Sequence, residues 1–310
     1  MIQYINFKAL LFFMLVVGCR SAYILDTDDS INSYVAFGYL KPNAPLNLEL
    51  NQLSDPVGGI DATIQSDVDV FLNLESQEFK LEPIQVPGKV NPIYQLKDFP
   101  VSNAKYQLKI KIGDGTLLSA STKIPISVPA FTQVECTDKF LVPNLVQSLK
   151  LTLKWNLDST YENFYHLIIR KVNFKYDGAG KYIQDNVNPI SQVDLVAEEL
   201  ETLKNVVLLT HEPGLLLAGE NYPKDEINLA LQVKTKLPVD PEKEIFKELQ
   251  LELRSVSKEY YNFHKALALQ LQNTGSGLPS LQTVSSYTNF IGGHGLFGAY
   301  SSQFAIVRFN

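Results

Sequence analysis

The chain is poor in the side chains that most often build metal centres. Its 310 residues include two cysteines, four histidines, two methionines and one tryptophan. No Cys-x-x-Cys pair occurs, and the histidines show neither the His-x-x-x-His nor the His-Glu-x-x-His spacing of common zinc sites. We therefore expect the protein to hold no metal ion and no cofactor.

Motifs of common enzymes are also missing. The segment Thr-Gly-Ser-Gly at 274–277 does not supply the Gly-x-Ser-x-Gly pattern of serine hydrolases. The glycines at 178 and 180 lack the spacing of a phosphate-binding loop and predict a hairpin tip instead. No catalytic residue is predicted, and the sequence favours a protein that is not an enzyme.

An excess of positive charge is absent as well. The formal net charge is −6, and no basic stripe is present that could neutralise a phosphate backbone, so we expect no nucleic-acid partner. Hydrophobic residues make up 45% of the chain and charged residues 19%, a composition typical of globular proteins. The length of 310 residues favours two domains over one.

The longest apolar run covers residues 9–17, which follow Lys8 and precede Gly18 and Cys19. A spanning helix needs roughly 20 apolar residues, so this run predicts a signal peptide at residues 1–18. A small residue directly before a cysteine resembles the lipobox of bacterial lipoproteins, in which that cysteine is acylated and becomes the first residue. We therefore expect lipid on Cys19, with an ordinary signal peptide or a short membrane helix as the alternatives. The other cysteine, Cys136, then has no disulfide partner in the chain and is predicted to be a packed thiol.

Residues 34–129 alternate between apolar and polar side chains in short segments. Strands are predicted at 34–40, 46–50, 68–74, 94–96 and 106–112, and a hairpin at Gly113-Asp114-Gly115 leads into a strand at 117–122. Residues 19–33 are predicted to form a solvated tether before them. Short strands with proline and glycine between them indicate a small β-sandwich, which we end at residue 129.

Residues 130–310 repeat this pattern with longer strands and one clear helix. Strands are predicted at 149–157, 163–172, 227–235 and 248–254, with Trp155 on the core face of the first, and residues 191–205 suggest a short helix. After Ser257, a suitable N-cap, apolar and aromatic residues recur at spacings of three and four, which predicts an amphipathic helix near 257–272. The sequence therefore predicts a second, larger β-sandwich that carries one main helix.

The closing segment is rich in glycine. Four glycines between 292 and 298 predict a tight, non-repetitive loop, followed by a last strand near 302–309. Exposed loops often carry binding residues, so His294, Phe297 and Tyr300 are candidate binding residues.

Several segments together resemble a Bacteroidota lipoprotein family known as a domain of unknown function, DUF4249. They are residues 37–42 (Phe-Gly-Tyr-Leu-Lys-Pro), 61–64 (Asp-Ala-Thr-Ile), 121–125 (Ser-Thr-Lys-Ile-Pro), 255–267 and 288–300. The resemblance implies an acylated Cys19, tandem β-sandwiches of which the first is immunoglobulin-like or carboxypeptidase-regulatory-like, and genes beside TonB-dependent outer-membrane receptors. It carries over no catalytic residue.

The sequence leaves two candidate functions. The resemblance and the predicted anchor favour an outer-membrane lipoprotein that assists a TonB-dependent receptor in nutrient uptake, with the membrane and that receptor as partners. The alternative is a secreted envelope hydrolase of glycans or peptides, which would need a cleft that gathers carboxylates or histidines remote in sequence.

Overall fold

The structure of the protein, a computed structural model, describes residues 33–308 except for 54–63, 65–66, 98–100, 102, 143–145, 158–162, 180, 191–194, 198–205, 210–211, 223–225, 237–243 and 275–286. The predicted signal peptide, Cys19 and the predicted tether up to residue 32 lie outside the described residues. The predicted mainly β class is confirmed, since 18 strands are arranged in three sheets in the described part.

Eight strands precede residue 130 and follow the predicted alternation closely. They are β1 (Ser33–Leu40), β2 (Leu46–Leu53), β3 (Val68–Leu74), β4 (Gln77–Lys80), β5 (Glu82–Ile84), β6 (Ile93–Leu96), β7 (Lys105–Ile112) and β8 (Leu117–Lys123). Along β7 the apolar side chains are buried and the polar side chains between them are exposed or half-buried, as predicted. Gly115 has φ +92° in the β7–β8 hairpin, which is why a glycine stands there.

Ten strands and one main helix follow in the described part. They are β9 (Phe131–Val142), β10 (Val146–Asn156), β11 (Phe164–Tyr176), β12 (Tyr182–Pro189), β13 (Leu195–Ala197), β14 (Val206–Leu209), β15 (Gly214–Ala218), β16 (Glu226–Lys236), β17 (Glu244–Val256), α1 (Lys258–Thr274) and β18 (His294–Arg308). No helix among the described residues has the length and apolar character that a membrane crossing requires.

Three sheets build two layered cores. The largest has ten strands, ordered β14-β15-β11-β17-β18-β1-β2-β6-β5 with β12 beside β11, and the others are ordered β13-β16-β10-β9 and β4-β3-β7-β8. The first core lies between the β1, β2 and β6 part of the large sheet and β3, β7 and β8. The second lies between its β11, β15 and β17 part and β10 and β16, where Trp155 is fully buried. Cys136 is half-buried against this second core, as predicted for a packed thiol.

The first and last strands of the described part pair with each other, and we call the pairing of β1 with β18 the seam. β18 pairs in parallel with β1, from Val35 opposite His294 to Leu40 opposite Ala299, and pairs antiparallel with β17 on its other side. The large sheet therefore crosses the division predicted between residues 129 and 130. That domain boundary itself stays a prediction.

The predicted main helix is confirmed, and two other predictions are corrected. α1 begins after Ser257, whose Oγ accepts a hydrogen bond from the backbone N–H of Tyr260 at 3.3 Å, the N-cap geometry that was expected. The short helix predicted over 191–205 is wrong at Leu195–Ala197, which forms β13 and pairs antiparallel with β16. The rest of that predicted range lies outside the described residues. The loop predicted through residue 300 is also wrong, because β18 begins at His294.

Candidate functional site

A cleft of about 730 Å³ opens beside the first turn of α1, where β11 and β17 of the large sheet approach the end of β10. Its walls come from the segment that joins β8 to β9, the end of β10, the start of β11, the end of β17 and the first residues of α1. Two hydrogen bonds from β18 hold the joining segment: Ser301 Oγ donates to the Pro125 carbonyl at 2.9 Å, and the Gln303 amide donates to the Pro129 carbonyl. The cleft therefore has a wall that is fixed at both ends.

The cleft is lined by apolar and polar groups together. Ile126, Leu157 and Val256 supply apolar surface, and the aromatic rings of Phe164 and Tyr165 stand beside them. Polar groups come from amides and hydroxyls in the same lining, those of Asn156, Asn163, Ser127, Ser255 and Ser257. The volume of this cavity falls within the range of usual small-molecule sites, which is about 300–1,000 Å³.

A buried polar network lies on the other side of the β17 backbone, under α1. Arg254 donates from Nε to Glu252 at 2.7 Å and from Nη1 to Glu212, and Arg170 donates to the second oxygen of Glu252 at 2.5 Å. The Tyr260 hydroxyl of α1 donates to Glu212 at 2.9 Å. We call Arg170, Glu212, Glu252, Arg254 and Tyr260 the α1 network.

Aromatic and histidine side chains surround this network and tie it to β1. His166 Nδ1 lies 2.9 Å from the Tyr260 hydroxyl, and His264 Nε2 lies 3.3 Å from the hydroxyl of Tyr39 on β1. The guanidinium of Arg254 lies 4.5 Å from the centre of the Tyr300 ring, a cation–π contact. Gly214 leaves room for the ring of His166, because a Cβ on residue 214 would lie only 2.4 Å from Nε2 of His166.

The two arginines keep both carboxylates of the α1 network ionised. Burial alone would raise the pKa of Glu212, but the charge of Arg254 and its hydrogen bond lower that pKa to about 2. Burial likewise opposes ionisation of Glu252, and hydrogen bonds and charge from Arg254 and Arg170 bring its pKa below the ordinary value. Burial and then Glu212 raise the pKa of Tyr260 well above its ordinary value. These groups are therefore fixed in one protonation state at neutral pH.

The lowered pKa of Glu212 predicts a loss of stability in acid. A carboxylate whose pKa is lower in the folded than in the unfolded protein stabilises the fold above pH 4.5, and this contribution disappears as the pH falls toward 2. Urea unfolding between pH 5 and pH 2 should show stability falling by about 1.4 kcal/mol per pH unit for each proton taken up. Glu212→Gln should flatten this slope, and an equal slope in that variant would contradict the assignment.

The predicted binding residues do not meet in one site. His294 is exposed at the start of β18, Phe297 is fully buried in the first core, and Tyr300 is half-buried beside Arg254. Of these three, the structure brings Tyr300 to the α1 network, and none lines the cleft. Whether any of them binds a ligand stays a prediction, and Cys19 lies outside the described residues.

Sequence reasoning missed both the cleft and the α1 network. Their members lie far apart in the chain, as with Glu212 and Arg254, which are 42 residues apart, or His166 and Tyr260, which are 94 apart. One signal was present: the charged Glu252 and Arg254 lie on the outward face of a predicted strand, beside a predicted helix. Within the described ranges, no three His, Cys, Asp or Glu side chains converge as a metal site.

Comparison with known proteins adds a family match. A family model described as a domain of unknown function, DUF4249, matches residues 21–304. No curated protein matches the chain. Among solved structures, similarity is found to a cytokine receptor complex (9% identity, 88% of this chain and 94% of that chain covered, TM-score 0.26). It is also found to the B domain of a biofilm-associated protein (7% identity, 89% and 86% covered, TM-score 0.17). TM-scores this low carry no argument about fold or function.

Proposed function

This chain belongs to the DUF4249 family, whose description assigns no activity, and we propose that it is a lipid-anchored, non-enzymatic binding protein of the cell envelope. In this proposal it assists a TonB-dependent receptor of the outer membrane in nutrient uptake. The observation that carries the proposal is the cleft of about 730 Å³ beside the start of α1.

The cleft supports a binding role because it is shaped and held by the fold. The hydrogen bonds from β18 to the carbonyls of Pro125 and Pro129 hold one wall. The opposite wall is the first turn of α1, where the backbone N–H of Ser257 donates to the carbonyl of Ala299 at 2.8 Å. A site held by a sheet on both sides loses little freedom when a ligand binds, which favours affinity.

A hydrolase is the second candidate function, and the α1 network is the observation that favours it. The network gathers two carboxylates beside two histidines that are remote in sequence. A general acid or base needs a pKa near the working pH, however, and arginine contacts bring the pKa of Glu212 to about 2. Arg254 and Arg170 also engage both oxygens of Glu252. These contacts favour a structural role for the network and a binding role for the protein.

The envelope location is proposed from the sequence. The apolar run before Cys19 and the small residue at Gly18 support cleavage and acylation at that cysteine. Two or three acyl chains anchor a protein far more firmly than one, since each buried methylene contributes about 0.8 kcal/mol. The TonB-dependent receptor is proposed from the family resemblance.

The proposal is tested by deletion and by affinity purification from membranes. A strain that lacks the gene should take up at least one nutrient of a TonB-dependent system more slowly, and the tagged protein should recover an outer-membrane receptor from detergent-solubilised membranes. Recovery of no receptor, together with unchanged uptake across the nutrients that the strain uses, would reject the proposal.

Cys19→Ala should abolish labelling by palmitate and release the protein from the membrane fraction. The thioether-linked lipid has no other attachment point in this prediction, so the loss should be complete. The measurement is metabolic labelling followed by fractionation, with Cys136→Ala as the matched control that keeps its label. Labelling that survives in Cys19→Ala would overturn the predicted anchor.

A further inference from the structure

Ser255 is a buried hydroxyl that opens into the cleft. Ser255 is 7% exposed and lines the cleft at the end of β17. No residue in the described ranges makes a hydrogen bond with its Oγ. A hydroxyl that lines a cleft and makes no hydrogen bond to the described residues is available to bond a ligand there.

Ser257 presents a second hydroxyl to the same cleft. Its Oγ accepts hydrogen bonds from the backbone N–H groups of Tyr260 at 3.3 Å and of Ala299 at 3.2 Å. Both bonds use the oxygen as an acceptor, which leaves the hydroxyl hydrogen to donate. Ser255 and Ser257 both line the cleft, two residues apart, and each has a hydroxyl hydrogen that it can donate.

Positive charge also lines the cleft. The first turn of α1 carries the partial positive charge of a helix N-terminus, and this helix has 17 residues. Lys258 and Lys123 both line the cleft and add two full charges. One carboxylate, that of Glu259, also lies in the lining, and it accepts a hydrogen bond from Thr122 Oγ1 at 3.1 Å. The described lining therefore carries two cations against one carboxylate.

The rest of the lining is apolar enough to hold a hydrocarbon body. Pro125, Ile126 and Pro129 form one wall, and Leu157 and Val256 lie in the same lining. Ile126 is 38% exposed, so it offers apolar surface that a ligand in the cleft could cover.

We propose that the cleft binds an organic anion, with its carboxylate or phosphate at Ser255 and Ser257 and its apolar body along Pro125, Ile126 and Leu157. This inference rests on the proposed function, because it names the ligand class of the cleft on which that function depends. Ser255 is the residue on which recognition of the charged group depends most.

Three probes with one apolar body test this inference: phenylbutyrate, phenylbutyl phosphate and phenylbutanol, with inorganic phosphate as a fourth. Calorimetric titration of the purified full-length chain should show at least one of the two phenylbutyl anions binding about tenfold more tightly than the alcohol. The tighter of the two anions identifies whether the source is a carboxylate or a phosphate. Inorganic phosphate alone should bind more weakly than either, since it lacks the apolar body.

Two variants separate recognition from folding. Ser255→Ala should weaken binding of the preferred anion about tenfold and leave binding of the alcohol unchanged. Its melting temperature should stay the same or rise, because the hydroxyl that is removed has no hydrogen bond within the described part. Lys258→Gln should weaken anion binding severalfold, and Lys181→Gln, at the exposed β11–β12 hairpin, should leave it unchanged.

Three results would overturn the inference: equal binding of the alcohol and both anions, no binding of either anion, or unchanged anion binding in Ser255→Ala. A strain carrying Ser255→Ala distinguishes this failure from failure of the proposed function. If deletion slows uptake and Ser255→Ala does not, the ligand assignment is wrong and the uptake role stands. If deletion has no effect and no receptor is recovered, the uptake role is wrong whatever the cleft binds.

Discussion

Gly295→Ala is expected to lower the free energy of unfolding by about 3–5 kcal/mol, because it forces apart the seam between β1 and β18. Gly295 has φ +115°, a conformation that side chains rarely adopt. A Cβ at this position would lie 1.9 Å from the carbonyl oxygen of Ala36, the residue opposite it on β1. The clash is with backbone, so no side-chain rotation can relieve it.

Gly115→Ala is the matched control. Gly115 has φ +92° in the β7–β8 hairpin, and a Cβ there would meet no atom within 4 Å. Alanine at this position should therefore cost about 1–2 kcal/mol from backbone strain alone. Urea unfolding can be followed by the fluorescence of Trp155, the one tryptophan, and by circular dichroism. Equal losses in the two variants would show that the contact with Ala36 contributes nothing.

The seam also explains why the glycine-rich segment was predicted as a loop. Glycines usually mark turns, yet here they remove side chains where a strand is covered on both faces. On one face of β18, Phe297 packs into the first core. On the other face, Gly298 lies against α1, where an added Cβ would be 3.4 Å from the Cβ of Tyr260. The apolar run from Leu296 to Tyr300 was the signal of a strand buried on both sides.

Local patterns predicted most of the strands and the helix because burial alternates along each of them. Residues 68–74 were predicted as a strand and form β3, and Ser257 was predicted to cap α1 and does. The parallel pairing of β1 with β18 could not be predicted in the same way. It joins residues about 260 positions apart, as Val35 and His294 show, and no local period encodes such a contact.

The cleft escaped sequence reasoning for the same reason. Its walls come from four separate stretches of chain, and each of its serines and asparagines is an ordinary strand-end or turn residue when it is viewed alone. The residue that most clearly marks the cleft is Ser255, which is buried and lines it. Burial of a polar side chain at a strand end is visible only in three dimensions.

The α1 network supports the wall of the cleft, because successive residues of β17 face the network and the cleft in turn. Arg254 points into the network and its neighbour Ser255 lines the cleft, while Tyr260 anchors the first turn of α1 that carries Ser257. A change in the network should therefore disturb the cleft even though the two share no side chain. Arg254 donates hydrogen bonds to both carboxylates of the network, so its loss should have the largest effect.

Arg254→Met is expected to lower the free energy of unfolding by about 3–5 kcal/mol, since it leaves buried carboxylates without their main cation. Methionine keeps much of the side-chain length, so the loss comes chiefly from charge and hydrogen bonds. Glu252 is 3% exposed and keeps its 2.5 Å contact with Arg170, whereas Glu212 loses the group that most lowers its pKa. Arg308→Met is the control, because Arg308 is 77% exposed and its bond to Glu248 should be worth about 0–1 kcal/mol.

Addition of Glu212→Gln to Arg254→Met should recover part of the loss and complete a double-mutant cycle. If Glu212 and Arg254 interact directly, the two losses should fall short of additivity by about 1–3 kcal/mol. Strict additivity would mean that Arg254 stabilises the fold through Glu252 and its packing on Tyr300, and not through Glu212. In that case the acid sensitivity assigned to Glu212 should also be absent from the unmodified chain, so the two measurements check one another.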